Sequence, residues 1–115
     1  MSIKRIGVGP RMSQAVVHNG MVYLAGQVAD KPVPSVEKQT KQILANIDKL
    51  LKQAGSDKSK ILKANIWLSD IRGFAEMNRA WDAWVSKGNT PARATVESRL
   101  ATPDYLVEIM VVAAI

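Results

Sequence analysis

The chain has no cysteine and a single histidine, His18, among its 115 residues. Without thiols there are no disulfides, no thiolate nucleophile and no sulfur-built zinc site, and one imidazole is too few for a typical catalytic zinc. Aromatics are scarce at 5%, so base-stacking platforms of the kind that grip single-stranded nucleic acid are few. No apolar run approaches the roughly 20 residues needed to cross a bilayer. The first residues, MSIKRIGVGP, lack the long apolar core and small-residue cleavage site of a secretory signal, which leads to the expectation of a cytoplasmic protein with no membrane partner. Gly7 and Gly9 make only GxG, with no GxGxxG opening a helix, so a nucleotide loop is not expected.

What is present is an ordinary globular composition, 47% hydrophobic and 23% charged, in a length that holds one domain spanning 1–115. The net charge of +6 favours anionic partners. Many of the lysines (Lys38, Lys41, Lys49, Lys52, Lys58, Lys60, Lys63) fall in one helical region and its exit, a pattern read as a solvated helix face rather than a nucleic-acid patch.

Local signals divide the chain. Ile3 to Val8, Ser13 to His18 and Met21 to Ala25 read as strands, and Asn19-Gly20 between the last two predicts a type I′ hairpin turn. After Pro32-Val33-Pro34, Ser35 is placed to cap a helix whose apolar residues Val36, Ile43, Leu44, Ile47, Leu50, Leu51 and Ala54 recur at three and four, with Gly55 as its left-handed stop. Ile61 to Leu68 reads as a strand, and a second helix carries Phe74, Met77, Trp81, Trp84 and Val85. Ala92 to Val96 and the apolar run Leu106 to Ile115 complete the set, the last as a central strand. The order predicts an α+β fold, a mixed sheet of about six strands with two helices on one face. The uncovered face of such a sheet predicts an obligate oligomer.

Three polar residues interrupt apolar patterns: Asn78 in the second helix, Arg93 in Ala-Arg-Ala and Glu108 in the last strand. A charge buried alone loses several kcal/mol of solvation, so each requires a partner. Alternation puts Arg93 with Thr95, and Glu108 with Met110 and Val112. If the two strands are neighbours, Arg93 and Glu108 line one pocket. Arg93 then reads either as a receptor for a substrate carboxylate, through its bidentate fork, or as a structural ion pair with Glu108. Glu108 reads as that same structural partner or as a base for water, with burial raising its pKa. His18 beside the turn reads as a locally satisfied imidazole, and the tryptophans as packing.

Pro91-Ala92-Arg93-Ala94-Thr95-Val96, followed after Thr102-Pro103-Asp104 by Val107-Glu108-Ile109, resembles the C-terminal signature of the RidA (YjgF) family. Ser13-Gln14-Ala15-Val16, Ala25-Gly26-Gln27, Asn46 with Leu50, and Met77-Asn78 extend the resemblance over nearly the whole chain. It implies a chorismate-mutase-like fold assembled as a homotrimer around a central barrel, with three clefts between subunits. It also implies cofactor-free hydrolysis of 2-imino acids and enamines to 2-keto acids and ammonia. In that reading Arg93 binds the substrate carboxylate and Glu108 activates the water, while Asn78, Gly26, Ala25, Thr95 and Met12 line the cleft. Met12 stands where the family has tyrosine, Ala25 where it has serine and Thr95 where it has cysteine, marking a divergent subgroup with fewer hydroxyls and no thiol. Two other functions fit less of the sequence: a non-catalytic sensor of small 2-keto or amino acids through Arg93, and an RNA-directed endoribonuclease or translation inhibitor, supported only by the basic charge.

Overall fold

The computed structural model describes residues 2–115. Strands β1 (Lys4–Val8), β2 (Ser13–His18) and β3 (Met21–Leu24) come first, then helix α1 (Val36–Ala54), β4 (Ile61–Leu68), helix α2 (Phe74–Trp84), β5 (Ala92–Glu97) and β6 (Val107–Ala114). The expected elements are all present. Asn19 and Gly20 both take positive φ, 51° and 73°, as the two central positions of a type I′ turn require. Ser35 caps α1 by accepting the Lys38 amide at 3.1 Å, and Gly55 ends it at φ 86°. The lysines of α1 point to water, while Ile43, Leu44, Ile47 and Leu51 are fully or almost fully buried, each side chain contributing about 1.5–3 kcal/mol through burial.

The six strands form one sheet in the order β1-β2-β3-β6-β4-β5. All pairings are antiparallel except β4 with β5, which α2 joins as a crossover. The sheet is mixed, and β6 is central as its apolar run predicted. On β4, Ala64, Ile66 and Leu68 face the core under the helices, and on β6 so do Val107, Ile109, Val111 and Ala113. Their alternates, Asn65 and Trp67 on β4 and Glu108, Met110 and Val112 on β6, lie on the other face, where no helix of the described residues packs. Tyr23 and Val96 belong to that face and are 47% and 50% exposed. No described helix is long and apolar enough to cross a membrane.

Candidate functional site

The order of strands separates Arg93 from Glu108. Strands β5 and β6 are not neighbours, because β4 runs between them. Paired residues share a face, and Arg93 pairs with Ala64 while Glu108 pairs with Trp67. Ala64 and Trp67 are three residues apart on one strand, so period-two alternation sends Arg93 and Glu108 to opposite faces. Both expectations that joined them in one chain, the shared pocket and the structural ion pair, are therefore corrected. Register explains why: two strand spacings, about 10 Å, and the sheet itself lie between them.

On the helix face, Arg93 is half-buried, and its Nη1 donates to Asn78 Oδ1 at 2.8 Å. Asn78, the polar intruder of α2, is thus the partner that Arg93 needs. The guanidinium carbon lies 5.2 Å from the Trp81 ring centre and 5.7 Å from that of Phe74, close enough for cation–π attraction. Phe74, Asn78 and Trp81 follow at four and three along α2, so one helix stripe supplies all three of these contacts to the arginine. Among the described residues no carboxylate pairs with Arg93. A guanidinium held by an amide and two rings leaves its remaining donors for an anion. Thr95 lies on the same face two residues on, and its Oγ1 is buried with no hydrogen-bond partner among the described residues. The depression at the start of β4 and β5 is lined by Lys63, Ala64, Asn65, Ala92, Arg93 and Ala94.

On the open face, Glu108 stands against the turn after β3. Gly26 lets the Glu108 carboxylate lie close against the backbone: a Cβ at that position would overlap the carboxylate as it stands and push it aside. Ala25 donates its amide to Gln14 carbonyl at 2.9 Å, and Gln27 exchanges backbone hydrogen bonds with Ile109 at 2.8 and 3.1 Å. Partial burial pushes the Glu108 carboxyl above the usual glutamate range, because desolvation disfavours its charged form. Met12 is 49% exposed in the loop between β1 and β2, where its carbonyl accepts the Gly9 amide.

The residues named from sequence thus fall into two groups: Arg93, Asn78 and Thr95 on one face, Glu108, Gly26 and Ala25 toward the other. Met12 joins neither through a hydrogen bond. The aromatic walls Phe74 and Trp81 were legible only as packing, since the pattern shows a stripe without showing which charge lies on it.

A carboxylate with a raised pKa favours the folded state in its protonated form. The sign follows: relative to a neutral group, Glu108 costs nothing below the usual carboxylate range, and the cost grows as pH rises through that range and is complete above its raised folded value. Glu108→Gln is therefore expected to melt higher than the wild-type chain at pH 7, with the gap closing by about pH 3 to 4. Calorimetry across that range checks it.

Comparison with known proteins agrees with this architecture along the full chain. The family model described as endoribonuclease L-PSP matches residues 3–115. The RutC family protein YoaB of Escherichia coli is 46% identical over 115 residues, 100% of both chains. A RutC family protein of Haemophilus influenzae is 46% identical over 114 residues, 98% of both. The crystal structure of a YjgF-family protein from Neisseria meningitidis superposes with a TM-score of 0.97 at 47% identity, covering 99% of this chain and 95% of that one.

Proposed function

This chain belongs to the RidA/YjgF family, whose model carries the description endoribonuclease L-PSP, and from that premise we propose that it is a cytoplasmic, cofactor-free hydrolase of 2-imino acids, working as a homotrimer. Its products are 2-keto acids and ammonia, formed in clefts between subunits. The observation that carries the proposal is the division of the site. Arg93 and Glu108 occupy opposite faces of one sheet, and the face bearing Glu108 also presents Tyr23, Val96, Met110 and Val112 without a helix to cover them. A second copy seated on that face completes what one chain leaves in halves, and a closed ring of three completes every site alike.

In such a cleft Arg93 of one subunit receives the substrate carboxylate through its planar fork, kept in line by Asn78 and the rings of Phe74 and Trp81. Glu108 of the neighbouring subunit, with Gly26 at its side, accepts a proton from water as the oxygen bonds to the imine carbon. The resulting carbinolamine takes that proton on nitrogen, and as its hydroxyl gives its own proton back to the Glu108 carboxylate the carbon–nitrogen bond breaks, releasing ammonia and the keto acid. No electrons change hands overall. A glutamate with a raised pKa is the better base for that step. Imines hydrolyse unaided, so positioning supplies most of the acceleration required.

The test is the disappearance of a 2-imino acid generated by an amino-acid oxidase, read by trapping the remaining imine with semicarbazide. The wild-type chain is expected to lower the trapped signal, and Arg93→Ala is expected not to. Binding of 2-keto acids without any imine loss makes the protein a carboxylate sensor instead. Cleavage of RNA, weakening steeply with added salt, makes it the nuclease of the family description.

A further inference from the structure

We propose that Gln39 is a positioning residue for Glu108: its buried amide clamps the loop that feeds β6 and so sets where the Glu108 carboxylate stands on the open sheet face. The inference deepens the hydrolase reading above and rests on it for the role of Glu108.

Gln39 sits in the first turns of α1 and is completely buried. A buried amide costs about 1–3 kcal/mol unless its bonds are made, and Gln39 makes three. Its Nε2 donates to the carbonyls of Val33, at 2.8 Å, and Asp104, at 2.9 Å. Its Oε1 accepts the Leu106 amide at 3.0 Å. Two of these bonds reach residues 65 and 67 positions away, so they serve the loop into β6 rather than the helix that carries the glutamine. A leucine there would fill the apolar stripe at no polar cost but would leave those loop groups unpaired. The Leu106 peptide is gripped on its other side too, where its carbonyl accepts the Ser69 amide at 3.1 Å.

Leu106 lies two residues before Glu108, about 7 Å along an extended strand. Just beyond Glu108, Ile109 is locked to Gln27 by the reciprocal backbone pair. The Gln27 side chain, also buried, donates to the Ala25 carbonyl at 3.1 Å and to Gln14 Oε1 at 3.0 Å. Two buried glutamines thus bracket the carboxylate. Among the described residues, the Glu108 carboxylate accepts no hydrogen bond, and its position therefore comes from the backbone that these clamps and the pairing with Trp67 hold.

The experiment uses full-length Gln39→Met, which keeps the volume and removes all three bonds. Two readouts are taken: carbon-13 NMR titration of the glutamate carboxyls, with the Glu108 signal assigned by Glu108→Gln, and kcat and KM for 2-imino acid hydrolysis. The Glu108 midpoint is expected to fall toward the ordinary glutamate value as water enters, and kcat to fall about tenfold or more, with KM within about twofold because Arg93 is held elsewhere. An unmoved Glu108 titration in the folded variant overturns the proposal, whether or not turnover falls. Should Gln39→Met not fold, Gln39→Asn, too short to span the same partners, takes its place with the same expectations. The NMR arm is independent of turnover, so a wild-type chain inactive toward imines sinks the hydrolase reading and leaves the clamp still decided.

Discussion

Arg93→Lys is expected to lose about 10- to 100-fold in kcat/KM toward 2-imino acids while the fold and the assembly persist. Lysine keeps the positive charge but replaces two parallel hydrogen bonds by one point contact, and charge-assisted bonds are worth about 1.5–3 kcal/mol each. Lysine also lacks the planar group that now sits beside Phe74 and Trp81, its guanidinium carbon 5.7 and 5.2 Å from the ring centres. The bond from Nη1 to Asn78 at 2.8 Å goes as well. Steady-state kinetics beside sedimentation decides the matter. Near-normal turnover would remove the carboxylate clamp, whereas a joint loss of stability, assembly and activity would make the arginine mainly structural.

The second large effect is expected from a residue that touches neither charged group. Tyr23 lies on the open sheet face, paired with Val112 of β6 and Val16 of β2, and is 47% exposed. Tyr23→Glu places a charge there that water tolerates in a single chain but that loses several kcal/mol of solvation when a neighbour covers it. The variant is expected to sediment as a folded monomer with an unaltered circular dichroism spectrum. It is also expected to lose at least about 100-fold in turnover, since no chain alone brings Arg93 and Glu108 to one substrate. A monomer that still hydrolyses imines at the wild-type rate would show that a single subunit suffices.

Most of the local architecture was legible in the sequence because its signals are local. Asn19-Gly20 requires two positive φ angles and so marks a turn, and Ser35 and Gly55 bound α1 for equally short-range reasons. Arg93, Asn78 and Glu108 stood out because a polar residue on an apolar stripe must have a partner. Which partner it has was beyond that reasoning. The lateral order β6-β4-β5 depends on contacts between segments far apart in the chain, and it decides that Arg93 meets Asn78 rather than Glu108. Gln39 escaped for a related reason. Helical periodicity assigns a polar residue to the wet side, whereas here an amide completes the hydrogen bonds of a loop 65 residues on, and only the folded chain shows that loop beside it.

The division of the site between two subunits is tested most directly by mixing chains. Arg93→Ala and Glu108→Gln variants, each inactive alone, are unfolded together at equal concentration and refolded, and imine hydrolysis is measured. If each cleft takes Arg93 from one subunit and Glu108 from the next, random assembly leaves about one cleft in four with both wild-type groups, and activity returns to about a quarter of the wild-type value. If the mixture, shown to contain mixed oligomers, stays as inactive as its components, the two residues do not act across a subunit boundary and no cleft is divided between two chains.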